Sequence, residues 1–442
     1  MAPRRSCTPT PSPAMQLTYD KLAPFLDATS DFATRARIAE QFLGGLAPFV
    51  LTDAARQAAN ISPPTLPDAA GSAWPLLAWK APWRALVDAQ LFAEAFALPL
   101  QWLPAASASP GDDPRLPAAF ADMAKRVRAA LPSHRRETHT LHLAPRLQHL
   151  DLRALDLQAD SAFVPLAAAL YLRQHDILPD TAVFTTGAWL GSGIEAVGDI
   201  PAKYAAAAQL CPHREWAFFV PDQNADEPGT AASPRVHKLP AGTANLLTSL
   251  QPLLIRLASP PPPDADLPQR LHYANTPFVA VDAHQRQRYY ATHLVDDLAQ
   301  SLRRQNPQQL CRLAVAVSLQ PLVTRLIVQS VPAQERAYLC SEASLRKLQQ
   351  DQPALFKRND AVFVLRNDNA QAICDDIAQW LQSAPSAVNI TPGTSEMTAV
   401  LLTAAQRAKA QVHLLRHDFL SDPPNAQRYG SEHLDVLDWT TP

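Results

Sequence analysis

The sequence predicts an α/β protein: an N-terminal α/β domain followed by a doubly wound parallel sheet. Three observations carry this. From residue 118 onward, segments with helical period alternate with short strand-like runs. After Pro307, five short apolar runs rich in β-branched residues are separated by helix patterns, the layout of a parallel sheet with ligands at the strands' carboxyl ends. Between the two regions lies Ser259-Pro260-Pro261-Pro262-Pro263-Asp264. Four successive prolines fit neither a helix nor a central strand, so a domain ends near Ala258 and an extended spacer follows.

Taken in order, residues 1–15, with Pro9, Pro11 and Pro13 among Ser and Thr, read as a disordered tail. Residues 16–110 are either the start of the following domain or a separate helical cap. Within them 31–50 repeats apolar residues near 3.6, a helix capped by Asp31, whereas 60–110 has no clean period. In the domain at 111–258, 118–131 is a helix and 138–143 an alternating strand with one face to the core. There follow a buried helix at 163–172, a strand at 182–186, a helix at 202–210 and a strand at 216–220. The segment 259–305 is a linker with a hairpin at 278–292 and a helix whose face is Leu294, Val295, Leu298 and Leu302, ending at Arg303-Arg304. In the domain at 306–442, strands are expected at 313–319, 336–340, 361–365, 387–390 and 411–415. Helices start at Pro321 and span 345–350, 370–382 and 395–408.

Composition excludes several classes. With 39 Lys+Arg against 41 Asp+Glu and 18% charged residues, no bulk field exists to hold DNA or a membrane surface. Average usage is about 7% Gly and about 5% Pro; here 42 Pro stand against 12 Gly, leaving little material for glycine-rich phosphate loops. No Walker loop is present, and Gly191-Ser192-Gly193-Ile194-Glu195-Ala196 opens no helix pattern as a dinucleotide fingerprint must. Cys7, Cys211, Cys311, Cys340 and Cys374 never form C-x-x-C, which points to a reducing compartment rather than to disulfides or zinc. His139 and His142 face opposite sides of a strand and share no metal. Trp189, Trp216 and Trp380 read as core. No run of about 18 apolar residues and no signal-peptide core is found, so a cytosolic protein without metal or cofactor is expected.

Two constellations carry chemistry. Ser161 follows Asp160 just before the buried helix, and Lys203 is the only charged residue between Asp199 and Arg214. A desolvated lysine has a lowered pKa, and its neutral amine can take the proton from a serine hydroxyl. The same residues also fit a helix cap and a solvated helix-end lysine.

The stretch 118–258 resembles the proteolytic domain of the Lon proteases. Ala159-Asp160-Ser161-Ala162 looks like its nucleophile loop, and Pro179 to Gly187 like the next strand and turn. Gly193 to Asp199 with Lys203 looks like the segment with the catalytic lysine, and Phe218 to Asn224 like the strand and Pro-x-x-Asn turn after it. The resemblance implies that Ser161 is the nucleophile and Lys203 its general base. It also makes Gly191 and Gly193 part of a turn between strands. Phe163 and Pro165 depart from the family's loop. Because Pro165 is tolerated only in a first helical turn, the helix should start at 162 or 163 and leave Ser161 on a loop with its hydroxyl free. Lon proteases join this domain to an ATPase, and no P-loop exists here, so cleavage of exposed, flexible segments without ATP is implied.

The second constellation is Thr391-Pro392-Gly393-Thr394-Ser395-Glu396-Met397, a strand-to-helix turn that either caps its helix through Thr394 or Ser395 or presents N–H groups and hydroxyls to an anion. The loop Ser318-Leu319-Gln320-Pro321 should lie beside it where strand order reverses. Residues 308–418 resemble a CARF domain, the Rossmann-like CRISPR-associated sensor of cyclic oligoadenylates. The run Thr391 to Met397 looks like its Thr-Gly-Gly-Thr-Lys-x-Met signature, with Pro392 for the first Gly and Ser395 for Lys. The resemblance implies a homodimer with Ser318, Leu319, Gln320, Pro321, Thr391, Gly393, Thr394, Ser395 and Met397 at the ligand pocket. Together the resemblances imply a serine peptidase of type III CRISPR defence, activated by cyclic tetra- or hexa-adenylate. It would act on a protein partner such as a toxin, antitoxin or regulator encoded nearby. Two other readings are an inactive Lon-like scaffold with a ligand-binding regulator, and a ring nuclease that degrades its own ligand.

Overall fold

The computed structural model describes residues 15–105, 111–131, 138–157, 159–212, 214–227, 233–241, 245–366, 368–383 and 385–437. Of the tail expected at 1–15, residues 1–14 lie outside them and Met15 is corrected to a strand residue, because Met15 and Gln16 pair in parallel with Leu150 and Asp151. The chain divides into two units, Met1–Ser259 and Pro260–Pro442.

In the first unit Asp31 caps helix α1 (Phe32–Leu43), its carboxylate accepting from the Thr34 N–H at 2.8 Å. The helix expected through residue 50 stops at Gly44, and Pro48, which has no N–H, can only open the separate piece Ala47–Val50. The region without a clean period holds short strands. β1 (Leu76–Ala78) and β2 (Ala95–Ala97) form an antiparallel pair, and β3 (Leu100–Pro104) joins Ser72–Ala73 on one side. Trp79 stacks on Trp83 and Phe96 behind β1. Helix α2 (Ala118–Ala130) leads to β4 (His139–Leu143), antiparallel to β3. The expected one-sided strand is buried on both faces save for His142, because the neighbouring layers cover it.

Helix α3 (Phe163–Gln174) is apolar all round from Phe163 to Leu172, and such a helix must be enclosed. The indole N–H of Trp102 donates to Leu166 C=O at 3.0 Å and that of Trp74 to Val183 C=O at 3.1 Å. Residues 72–104 are thus integral to this unit. The strands β5 (Val183–Thr185), β6 (Ala188–Trp189) and β7 (Ile194–Glu195) follow, with β6 and β7 antiparallel around Gly191 and Gly193. After α4 (Ile200–Leu210), β8 (Ala217–Pro221) pairs in parallel with β5 and with β9 (Val236–Leu239), and α5 (Leu246–Leu257) closes the unit.

The second unit begins with helices where a linker and hairpin are expected: α6 (Leu267–Ala274), α7 (Pro277–Ala280), α8 (Ala283–His293) and α9 (Val295–Gln305). The strand-like run 278–292 is corrected to helix by its caps. Pro277 sits at a helix start, and the Asp282 carboxylate accepts from Gln285 N–H at 2.9 Å. Then β10 (Leu310–Val317), α10 (Pro321–Ser330), β11 (Ala333–Cys340), α11 (Glu342–Asp351), β12 (Ala361–Val364), α12 (Ala370–Trp380), β13 (Ser386–Asn389), α13 (Ser395–Ala408) and β14 (Gln411–Arg416) alternate. An unexpected antiparallel strand, β15 (His433–Leu437), completes one six-stranded sheet of order β12-β11-β10-β13-β14-β15. Order reverses between β10 and β13. Trp380, expected in the core, is half-buried with the Arg312 guanidinium 5.2 Å from its ring.

Arg286 ties the loop after β14 to the helices: it donates to Ala274 C=O at 2.9 Å, to Asn275 Oδ1 and to Gln427 C=O, and lies 4.0 Å from the Tyr429 ring. Removing a buried donor leaves its acceptors desolvated and unpaired, so Arg286→Met should destabilise the protein by about 3 kcal/mol in urea unfolding.

Candidate functional site

Ser161 lies in a single 3-10 turn, Asp160–Ala162, that runs into α3, with Pro165 in the helix's first turn. The helix starts at Phe163, as expected, and the loop expected at Ser161 is closed into this turn by Ala162 N–H donating to Ala159 C=O at 2.8 Å; Ser161 is buried. The turn is pinned from two sides. Gly187 N–H donates to Ser161 C=O at 3.1 Å and Val164 N–H to Gly187 C=O at 3.1 Å. A Cβ on Gly187 would stand 2.8 Å from Val164 Cγ2, so only glycine permits this approach. On the other side Arg126 of α2 pairs with Asp160 at 3.5 Å, donates to Trp189 C=O at 2.8 Å and lies over the Phe163 ring.

Lys203 enters from the first turn of α4 and is 3% exposed, with no carboxylate in ion-pair distance among the described residues. Its Nζ donates to Gly198 C=O at 2.8 Å and to Thr186 Oγ1 at 3.5 Å, and Thr186 Oγ1 donates to Ser161 C=O at 3.4 Å. Burial pulls the lysine pKa from 10.5 to about 8, against smaller opposing pulls from Asp199 and Glu227. The approach to α4 is fixed by buried Asn224, which accepts from Val197 N–H at 2.9 Å, donates to Val197 C=O at 3.0 Å and also touches Glu227.

Ser161 and Lys203 line one cavity of about 310 Å³. Asp160, Glu195, Val197 and Ala78 to Lys80 complete it, so the N-terminal strands form part of the wall. Among the described residues no direct hydrogen bond joins Ser161 Oγ to Lys203 Nζ; Thr186 Oγ1 links the amine to the Ser161 C=O. A lysine whose amine loses its proton near pH 8 and a serine hydroxyl on the walls of one cavity are groups that general-base activation of a hydroxyl uses. Asn224 is the Asn of the Pro-x-x-Asn turn noted in the sequence, but its clamp on Val197, like the contact of Thr186 with Lys203, is a tertiary contact that the sequence does not show.

The second site is a cavity of about 750 Å³ at the carboxyl ends of β10, β11 and β13. Ser318, Leu319, Gln320, Thr391, Gly393, Thr394 and Met397 line it together. Pro321 is buried at the start of α10 against a neighbouring hollow, and Ser395 is exposed and lines neither. Thr394 does cap α13, its hydroxyl accepting from Met397 N–H at 3.3 Å, and Thr391 Oγ1 accepts from Leu415 N–H at 2.7 Å. A Cβ on Gly393 would stand 2.7 Å from Ala316 Cβ, so the turn packs against β10 only with glycine. The starts of three helices meet here: α10, α11 with its Ser341–Ser344 capping box, and α13. Their positive ends favour an anion. No lysine or arginine lines the cavity among the described residues; the only titratable rings are His417, Tyr290 and Tyr429. Tyr290, His417, Phe419 and Tyr429 come from α8 and the loop after β14, where the sequence carried no binding motif.

No family model and no curated protein matches this chain. Among the described residues no helix is long and apolar enough to cross a membrane, and no group of three or more His, Cys, Asp or Glu is placed to hold a metal ion.

Lys203→Met keeps the packing and removes a charge that the folded state holds at a cost. Below pH 8 both folded and unfolded wild type carry the ammonium, so the folded state bears the full desolvation penalty; the penalty shrinks between pH 8 and 10.5 and is gone above. The variant also loses the Nζ hydrogen bonds at every pH, so its stability relative to wild type should be about 3 kcal/mol more favourable at pH 7 than above pH 10.5; denaturant titrations at pH 7 and 10 measure the change. Asn224→Ala should cost about 2 kcal/mol of stability through its lost hydrogen bonds to Val197.

Proposed function

We propose that this chain is an ATP-independent serine endopeptidase with a Ser161/Lys203 dyad, governed by a cyclic oligoadenylate bound in the carboxyl-end cavity of the second unit. What supports the reading most is that Ser161 and Lys203, far apart in sequence, line one cavity in which the lysine pKa falls to about 8. The resemblances to the Lon proteolytic domain and to CARF sensors point the same way and supply the expectation of a homodimer.

In this reading neutral Lys203 Nζ takes the Ser161 Oγ proton as the oxygen attacks a peptide carbonyl. The resulting ammonium gives that proton to the leaving amine, and water then releases the acyl group by the reverse proton path. Among the described residues the Nζ hydrogen bonds run to Gly198 and Thr186 and none to the Ser161 hydroxyl, which this reading takes as a resting state. Ligand binding would favour the arrangement in which the two meet. The substrate is a flexible segment of a partner protein, since nothing in this chain supplies an unfolding motor.

For the ligand, three helix starts and the hydroxyls of Thr391, Thr394 and Ser341 take the place of cationic side chains. Tyr290, Phe419 and Tyr429 offer apolar rings on the same walls.

Purified protein incubated with candidate partner proteins, with and without cyclic tetra- or hexa-adenylate, tests the reading. Ligand-dependent cleavage should disappear in Ser161→Ala and Lys203→Ala; cleavage that survives both substitutions rules out the dyad. The cleavage rate should rise with pH along a limb of apparent pKa about 8, the lysine's deprotonation. Calorimetry should show ligand binding that changes less than about ten-fold between 0.05 and 0.2 M salt, unlike sites that neutralise phosphates with lysine and arginine. Gly393→Val, which drives a side chain into Ala316, should abolish it.

A further inference from the structure

The cations missing from the carboxyl-end cavity are gathered at the opposite end of the six-stranded sheet. A cleft of about 610 Å³ opens where α9 and α10 end and β10 and β11 begin, lined by Arg303, Arg336 and Lys357. It continues into a second hollow of about 440 Å³ that shares Arg303 and adds Arg304. Among the described residues none of these four cations forms an ion pair. The one carboxylate on the walls, Asp296, is bonded to Arg325 at 2.6 Å. Gln300, Gln309 and Gln329 add amides, and no aromatic ring lines either hollow.

Arg303 and Arg304 have an ordinary role in the last turn of α9, where cations complement the helix dipole. That role does not reach Arg336, on strand β11, or Lys357, before β12. The Arg336 Nη2 donates to Val328 C=O at 3.4 Å, and its Nε is buried without a hydrogen-bond partner. Four unpaired cations along one trough repel each other unless an anion bridges them.

We propose that this trough is a docking site for an acidic peptide segment of a partner protein. Carboxylates match guanidinium forks bidentately, and the glutamines would serve the peptide backbone. Single-stranded nucleic acid needs aromatic faces for its bases, and the trough offers none. The site shares no lining residue with either cavity described above, so it stands whether or not the peptidase reading does.

The test is fluorescence anisotropy of the full chain with a labelled glutamate-rich peptide, and separately with an oligothymidylate of equal charge. Arg303 and Lys357 are exposed, so Arg303→Glu/Lys357→Glu should fold; an unchanged Tm verifies this. The expected result is saturable peptide binding that weakens at least about ten-fold in the double variant and about as much on raising salt. Arg346→Glu, on the exposed face of α11, should change it less than about two-fold. Peptide binding that is undetectable, or that survives the double variant, overturns the proposal. So does oligothymidylate binding as tightly as the peptide with the same loss in the variant, which would make the trough a nucleic-acid site.

Discussion

The first unit is organised around the backbone contact between Gly187 and the turn of Ser161. One N–H and one C=O of Gly187 hold Ser161 C=O and Val164 N–H, and the hydroxyl of Thr186 reaches both Ser161 C=O and the Lys203 amine. The strand β5 that ends beside this contact fixes the Ser161 turn, the buried helix α3 behind it and the lysine of α4. Burial of that lysine without a carboxylate then follows from geometry: once α4 is seated by the Asn224 clamp on Val197, the amine has only neutral oxygens to meet. The lowered pKa is a consequence of this enclosure.

The two cavities differ in how they treat charge. Around Ser161 the enclosure weakens a charge already present in the chain, whereas at the carboxyl ends of β10, β11 and β13 the helix starts create a positive field without a charged side chain. Arg303, Arg304, Arg336 and Lys357 gather instead at the sheet's amino end. A parallel β/α sheet makes this separation natural, because all its helices start at one edge and finish at the other.

Strands β10, β11, β12, β13 and β14 were legible because each holds a short apolar run between helix-period segments. Residues 60–110 were not, since strands of two to five residues such as Leu76–Ala78 and Ala95–Ala97 take their identity from partners distant in sequence. At 278–292 the Val and Tyr residues suggested strands, while the caps Asp282 and Pro277 decided for helix. Ser161 and Lys203 stood out only through their resemblance to a known loop and segment, for spacing alone fits a cap and a surface lysine equally well. Asn224 was visible only as the end of a Pro-x-x-Asn turn and Thr186 not at all; a neutral side chain gains its contacts from what folds against it.

The walls of the small cavity come from the whole length of the first unit: Trp79 and Lys80 are made early, Ser161 in the middle and Lys203 later, and the Asn224 clamp closes last. Such long-range pairing makes folding slow compared with the local β/α repeats that follow. During synthesis Ser161 emerges well before Lys203, and a chain interrupted before residue 224 lacks the side chain that clamps Val197 and seats α4. The order of residues along the polypeptide thereby delays closure of this cavity until nearly all of that unit has left the ribosome.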